Sequence, residues 1–254
     1  MPNHFFLDGL LNLTLGVGLG LGGGMLGIGG GLIAIPVLGL LYGMNQHLAQ
    51  GTTLVMITPN VLIGFLRYRQ RNDIDTRAVL TMGLTATVSS YIAARFAASL
   101  NAHSLQHAFA LFLVLLASYF AWLSRSDRHD RRPAVMLPAG FHPLLGVVSG
   151  AMSGIFTVGG GLVVVPALVT LFGFTQTQAQ GMALALVVPG ALAALLSYTQ
   201  AGNVDWGVGI PLAIGGVLSV SWGVALAHKL SAARLRLAFC AVLVGSAVMM
   251  LALK

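Results

Sequence analysis

Long apolar stretches separated by short polar gaps dominate the chain. A helix that spans the hydrocarbon core of a bilayer needs about 20 apolar residues, and most of the stretches have that length. The pattern therefore predicts an all-α membrane protein that crosses the bilayer many times. The apolar stretches are Phe5 to Tyr42, His47 to Leu66, Thr76 to Leu100, Ser104 to Leu123, Ala134 to Phe174, Gln178 to Tyr198, Trp206 to His228 and Ala232 to Leu253.

The first stretch is too long and too rich in glycine for one spanning helix. Its 38 residues would extend about 57 Å as a continuous helix, against a hydrocarbon core of about 30 Å. Glycine weakens a helix interior, so we expect a helix up to about Met25, a turn, and a short second helix from about Gly30 to Leu41. The fifth stretch should break in the same way near Thr157 to Gly160.

The chain also repeats itself. At an offset of 130 positions, residues 24–75 align with residues 154–205 without a gap, and 20 of the 52 positions are identical. We therefore predict two homologous membrane repeats of four to five helices, residues 1–123 and 134–254. A polar cytoplasmic linker, residues 124–133, joins them within one integral membrane domain. Identical pairs include Pro36 with Pro166, Gln50 with Gln180, Tyr68 with Tyr198 and Asp75 with Asp205.

Composition agrees with a membrane protein. The chain is 57% hydrophobic and 7% charged, whereas soluble domains carry roughly 25% charged residues. The net charge of +7 comes from Lys and Arg in the gaps between apolar stretches, which is typical of cytoplasmic loops and not of a nucleic-acid-binding face. Cys240 is the single cysteine, so neither an intrachain disulfide nor a cysteine metal site is expected.

The positions of the basic residues bear on topology. If each glycine segment crosses the membrane once, the two halves are parallel and nine Lys and Arg residues fall inside. If each segment doubles back, the halves are inverted and eleven fall inside, because Lys229, Arg234 and Arg236 join them while Lys254 moves outside. The count favours inverted repeats, a common plan among secondary transporters.

The two glycine segments are the first candidate site. In an inverted pair, the short helices would begin near the midplane, where their free N–H groups and positive dipole ends can bind an anion. The alternative is close helix packing through small residues, for example at Gly20 and Gly24. The candidate residues are Gly29, Gly30, Gly31 and Pro36 in the first half, and Thr157, Gly159, Gly160, Gly161 and Pro166 in the second.

Polar residues early in the following helix form the second candidate. They would line a hydrophilic path, or they would bond locally within the helix bundle. The second half keeps only the glutamine, so the path would be lopsided. These candidates are Gln50, Thr52, Thr53, Thr58 and Asn60, with Gln180 in the second half.

Charged and titratable residues give weaker signals. No Asp or Glu lies within a predicted span, except for Asp8 near the start, which argues against carboxylate-based proton coupling. His103 and His107 have the spacing of metal ligands but no third ligand nearby, so we expect neither a metal site nor a cofactor. Arg95, near the end of its span, either snorkels to the surface or attracts an anion.

The glycine and threonine motifs resemble those of the TauE/SafE family of sulfite and organosulfonate exporters. The matching residues are Gly27-Ile28-Gly29-Gly30-Gly31 up to Pro36, followed by Ala49-Gln50-Gly51-Thr52-Thr53. Tyr68 to Asp75 is similar to the family's Y-x(3)-G-x-I-D pattern. Asn72 replaces the glycine there, while Gly202 keeps it in the second half. The second half departs elsewhere, with Met182-Ala183 in place of the Thr pair and Thr157 in place of Gly27.

The resemblance implies a multi-pass permease of the bacterial inner membrane that moves sulfite, sulfonates or related small acids. Its partners would be the anion and the lipid bilayer, without nucleic acid; an assembly of identical copies stays open. A channel-like or structural membrane protein is the alternative. An intramembrane protease is a remote one, with Ser153 as nucleophile and His228 as base, because the surrounding glycine pattern is incomplete.

Overall fold

The computed structural model describes residues 2–72, 74, 76–125, 138–157 and 161–252, and every regular element in these ranges is helical. A 3₁₀ turn, Ala139–Phe141, precedes α6. The predicted all-α fold is thus confirmed, and the linker lies mostly outside the described residues. The ten α-helices of the described ranges are α1 Pro2–Leu26, α2 Gly31–Tyr42, α3 Gln46–Arg69, α4 Thr76–Ser99, α5 Ala102–Arg125, α6 His142–Phe156, α7 Gly161–Phe172, α8 Gln176–Gln200, α9 Trp206–Lys229 and α10 Ala232–Ala252.

The predicted interruption of the first stretch is confirmed. α1 ends at Leu26 and α2 begins at Gly31. Between them, Gly29 and Gly30 have φ angles of +71° and +92°, a left-handed region that is costly for residues with a Cβ. The backbone therefore reverses, and α2 returns along α1 until the Tyr42 hydroxyl donates to Asn12 Oδ1.

The fifth apolar stretch, Ala134 to Phe174, is interrupted at the equivalent place. α6 ends at Phe156 and α7 begins at Gly161. Thr157, which caps α6, has a φ of +55°, the single positive φ among the described residues other than glycine. Helix bounds also recur at the offset of 130, since α2 spans 31–42 and α7 spans 161–172.

The two halves interlock through close pairs of helices. α1 packs along α9, and α6 packs along α4. A Cβ on Gly20 would lie 2.5 Å from Gly216 Cα, while Gly16 faces Leu212 and Gly24 faces Val220. Because positions increase together on both helices, α1 and α9 run parallel. Packing through small residues is thus the role of Gly20 and Gly24.

Equivalent helices run in opposite directions. The Gln50 end of α3 meets the Tyr198 end of α8, and the Tyr68 end of α3 meets the Gln180 end of α8. α3 and α8, which align at the offset of 130, are therefore antiparallel. These directions favour the inverted arrangement, which stays a prediction together with the repeat boundaries.

Basic residues gather at one end of the bundle. Asn72, just after α3, contacts His228 near the end of α9 and accepts a hydrogen bond from Thr177 at the start of α8. The α3 arginines and Lys229 therefore share an end. At the opposite end, the Asp205 amide donates to Thr52 Oγ1.

The surface of the bundle suits a membrane. Large apolar side chains are exposed in a row along α4, which fits contact with lipid chains. Four described segments are long and apolar enough to cross a bilayer, namely Gly9–Leu26, Gln46–Arg69, Gln176–Gln200 and Trp206–Lys229. The exposed residues of α4 are Leu80, Leu84, Val88, Ile92 and Phe96.

Candidate functional site

The two glycine breaks lie against each other. A Cβ on Gly31 would lie 3.4 Å from Thr157 O, and one on Gly161 would lie 3.2 Å from Gly27 O. Gly31 also abuts Ile57, halfway along α3. The amino ends of α2 and α7 thus approach each other at mid-length of α3. The first N–H groups of a helix have no acceptor within it, so both ends can donate to a ligand.

Two buried tyrosine–glutamine pairs join α3 to α8 on either side of these breaks. The Tyr198 hydroxyl donates to Gln50 Oε1 at 2.6 Å, and the Tyr68 hydroxyl donates to Gln180 Oε1 at 3.0 Å. Gln50 and Tyr68 are about 27 Å apart along α3 at 1.5 Å per residue. The pairs therefore lie near opposite ends of the bundle.

The pair formed by Tyr68 and Gln180 also holds the end of α1. Gln180 Nε2 donates to Leu26 O at 3.3 Å, and the Tyr68 hydroxyl lies 3.3 Å from Gly24 O. The last carbonyls of a helix lack partners within it, so a side chain of the second half caps a helix of the first. A change in the position of Tyr68 or Gln180 would therefore displace the end of α1 and the glycine break that follows Leu26.

The pair formed by Gln50 and Tyr198 is less completely bonded. Gln50 is fully buried, yet its Nε2 has no hydrogen-bond partner among the described residues. Thr53 Oγ1 and both polar atoms of Asn60 share this property. A buried polar group without a partner costs about 1–3 kcal/mol, so the chain retains several donors that a ligand or water could satisfy.

These three residues lie on one strip of α3. At 100° per residue, Gln50, Thr53 and Asn60 fall within an arc of about 80°. The corresponding positions of α8 are Gln180, which is bonded through both of its polar atoms, followed by an alanine and a glycine. The unsatisfied polar groups of the two central helices are therefore concentrated in the first half. That they line a hydrophilic path stays a prediction.

Two other polar candidates are already engaged. Thr52 Oγ1 accepts from the Asp205 amide at 2.9 Å, and Thr58 Oγ1 donates to Leu54 O at 2.8 Å within α3. The alternative of local bonding thus describes Thr58, whereas Thr52 bonds the segment before α9. Asp205 in turn caps α9 by accepting from the Val208 amide.

The remaining candidates belong to the glycine segments. Pro36 and Pro166 are buried at the sixth positions of α2 and α7. The Thr157 hydroxyl donates to Phe156 O at 2.7 Å. Gly159 and Gly160 lie outside the described residues.

Sequence reasoning did not assign a role to Tyr68 or Tyr198. Both are fully buried and both bond a glutamine of the opposite half. The signal was present, because the two tyrosines are among the identical positions of the repeat. An identical polar residue in an apolar helix indicates a shared buried partner.

Apolar side chains fill the space between α3 and α8. Leu54, Ile57 and Val61 of α3 pack with Leu184 and Val187 of α8 in one buried cluster. The contact between α3 and α8 is therefore apolar between the two pairs.

Ser153 and His228 do not form a catalytic pair. Ser153 faces Gly190 of α8, whereas His228 contacts Asn72, which bonds Thr177 at the start of α8. Thr177 and Gly190 are 13 residues apart, about 20 Å along a helix. The geometry needed for a serine–histidine nucleophile is not present.

Comparisons with known proteins agree with the membrane assignment. The model of the family described as Sulfite exporter TauE/SafE matches residues 12–250. A probable membrane transporter protein of Methanocaldococcus jannaschii is 27% identical over 251 residues, covering 92% of each chain. A probable membrane transporter protein of Xylella fastidiosa is 25% identical over 228 residues, covering 88% of this chain and 87% of the relative. No solved structure gives a significant match.

Proposed function

This chain belongs to the sulfite exporter TauE/SafE family and is a membrane transporter, and from that premise we propose that it exports small anions such as sulfite, a sulfonate or a related organic acid. We place it in the inner membrane of a bacterium. The observation that carries the substrate class is the strip of unsatisfied buried groups, Gln50, Thr53 and Asn60, on the helix that the glycine breaks abut.

The chemistry of this strip suits an anion that must both bind and leave. An amide of Gln50, a hydroxyl of Thr53 and an amide of Asn60 are uncharged donors, and helix amino ends add N–H groups and a partial positive charge. A full positive charge buried beside the anion would hold it more tightly and slow its release. Neutral donors instead replace the water that the anion sheds on entry, at the cost of a modest affinity.

The two tyrosine–glutamine pairs support a mechanism of alternating access. The bond from Tyr198 to Gln50 closes one end of the α3–α8 contact, and the bond from Tyr68 to Gln180 closes the other. Opening one pair while the other stays closed would expose the strip to one side of the membrane at a time. The apolar cluster between the pairs favours such a carrier over an open channel.

The membrane potential supplies a driving force without a proton relay. With the inside negative, outward movement of a monovalent anion gains about 2.3 kcal/mol per 100 mV. Transport would then be electrogenic, with the charge moved equal to the charge of the anion. A proton-coupled mechanism would instead depend on the pH gradient.

The test is flux in proteoliposomes loaded with sulfite, a sulfonate, acetate or sulfate in turn, with the potential and the pH gradient set independently. We expect saturable, potential-dependent flux of at least one anion, and we expect Asn60→Leu to reduce that flux at least tenfold. Absence of flux for every anion in wild-type protein overturns the anion assignment. Currents far above carrier turnover rates would replace the carrier with a channel.

A further inference from the structure

A polar pocket lies at the end of the bundle where α4 and α8 finish. Its volume is about 250 Å³, and a water molecule occupies about 30 Å³ in the liquid, so it has space for a small anion with several waters. The pocket is separate from the strip on α3. Its lining residues are Arg95, Ala98, Ser99, Ser197, Gln200 and Ala201.

Arg95 provides the charge of this pocket. Its guanidinium donates to the Tyr91 hydroxyl at 3.3 Å and lies 5.9 Å from the centre of the Tyr91 ring. The Arg95 side chain is exposed, and this contact orients the guanidinium towards Tyr91 while leaving most of its five N–H donors for another partner. None of the described residues that line the pocket is acidic. The positive charge is therefore oriented without being neutralised within the pocket.

The helix ends around the pocket are partly capped. Unpaired carbonyls give the carboxyl end of a helix a partial negative charge. At the end of α8, Ser197 O accepts from the Ala201 amide and Thr199 O accepts from the Gly202 amide. At the end of α4, Ala97 O accepts from the Leu100 amide. These carbonyls already have donors, and Arg95 is the one charged side chain among the described residues that line the pocket.

The pocket adjoins one of the two tyrosine–glutamine pairs. Ser197 lines it and is followed directly by Tyr198, whose hydroxyl bonds Gln50. Ser197 is 3% exposed, so the pocket reaches a buried side chain at the end of the bundle where that pair lies.

We infer that this pocket is a binding site for small oxyanions, held by Arg95 with Ser197 and Gln200, at the end of the bundle where Tyr198 lies. The Ser99 hydroxyl donates to Phe96 O at 2.7 Å and is not one of the donors. Guanidinium groups bind planar or tetrahedral oxyanions through paired N–H donors, and the surrounding hydroxyl and amide groups add neutral donors. The role of the site in export rests on the proposed anion transport, but the binding itself does not. Under the inverted arrangement this end of the bundle faces outward, so the site would collect the anion on release.

Binding can be measured without transport. In a Cys240→Ala background, Ser99→Cys places a thiol in the pocket that a methanethiosulfonate reagent can modify. Sulfate, which does not react with thiols, is the probe, titrated at constant ionic strength. We expect sulfate to slow modification saturably, with Arg95→Gln raising its apparent Kd about tenfold, as for loss of one charge-assisted hydrogen bond. Arg95→Lys should recover part of the affinity. Arg234→Gln, which removes an exposed arginine elsewhere, is the matched control for net charge.

The outcomes separate this site from the proposed function. Protection that is not saturable, or that is equal in the Arg95→Gln and Arg234→Gln proteins, overturns the site and leaves Arg95 as an interfacial anchor. Saturable, arginine-dependent protection supports the site even if wild-type protein moves no anion in proteoliposomes, which would count against export alone. If export holds, Arg95→Gln should raise the KM only when anion is supplied from the Tyr198 side. Right-side-out and inside-out vesicles supply the two directions.

Discussion

Gln50 and Tyr198 lie 148 positions apart in the chain, yet the hydroxyl of one donates to the amide oxygen of the other at 2.6 Å in the buried interior. The bond ties the start of α3 to the end of α8. Its counterpart, Tyr68 to Gln180, ties the other two ends at 3.0 Å. Two equivalent hydrogen bonds thus join the opposite ends of one helix pair, and the proposed alternating access depends on them.

Tyr198→Phe should remove the hydrogen bond to Gln50 and leave the bond between Tyr68 and Gln180 intact. The ring is retained, but the hydrogen bond is lost and Gln50 Oε1 is left unpaired, which costs about 1 kcal/mol or slightly more. The closed state at that end should become less populated, up to about tenfold. Modification of Thr53→Cys in a Cys240→Ala background, with the reagent supplied from the Arg95 end, should accelerate accordingly.

Tyr68→Phe is the matched variant for this experiment. It should accelerate modification of Thr53→Cys from the opposite end and leave the Arg95 end unchanged. If both tyrosine variants accelerate labelling from the same side, or if neither changes the labelling rate, the two hydrogen bonds stabilise the fold and do not control access.

Asn60→Leu should separate stability from transport. The two side chains have similar shapes, and both polar atoms of Asn60 are buried without a partner among the described residues, so the change removes an unfavourable burial. We expect an equal or higher Tm in detergent together with at least a tenfold loss of flux. Thr87→Val, which removes a hydroxyl bonded to Gly83 O in α4, should leave flux unchanged. Full flux in the Asn60→Leu protein would remove this residue from the site.

Gly31→Ala tests the meeting of the two glycine breaks. The added methyl would press on the δ-methyl of Ile57 and approach Thr157 O to 3.4 Å. Overpacking of this kind costs about 1–3 kcal/mol. Adding Ile57→Val removes the clashing methyl and should restore the Tm, while flux stays low because the new Cβ still occupies the space between the breaks.

The control is Gly18→Ala, since a Cβ at Gly18 meets no atom within 4 Å. Alanine is favoured over glycine in a helix by roughly 0.5–1 kcal/mol, so this variant should be slightly more stable and fully active. Recovery of flux along with Tm in the double variant would assign Gly31 a packing role alone. Gly30 is a poorer test, because its φ of +92° makes any side chain there disturb the fold.

Labelling of the loops tests the inverted arrangement. In the structure Asn72 contacts His228, so the loops after α3 and α9 share an end. Gln70→Cys and Ser231→Cys should therefore react with an impermeant reagent from the inside, and Trp206→Cys from the outside. Opposite sides for Gln70→Cys and Ser231→Cys would establish parallel halves.

Local features of the fold were predictable from sequence. The interruption before Gly31 follows from a dense run of glycine in an apolar stretch that is too long to cross the bilayer once. The equivalent break before Gly161 follows from the repeat. Both features are encoded by neighbouring residues, so the pattern along the chain contains them.

Long-range features were not predictable. Thr52, Thr53 and Thr58 look alike in the sequence. Only the contacts of Thr52 with Asp205 and of Thr58 with Leu54 show that Thr53 is the one of the three whose hydroxyl has no partner among the described residues. The pocket at Arg95 likewise depends on α4 and α8 ending side by side. Whether a polar group is free or satisfied is decided by partners far away in the chain, which periodicity does not report.

The exchange of first helices between the halves has a consequence for biosynthesis. Trp206 follows Leu26 by 180 residues, so α1 enters the membrane long before α9 exists to cover it. At about 5–20 residues per second, the delay is roughly ten to forty seconds. During that time the face of α1 that includes Gly16, Gly20 and Gly24 contacts lipid or a chaperone. A ribosome that stalls before α9 is made would leave this face uncovered.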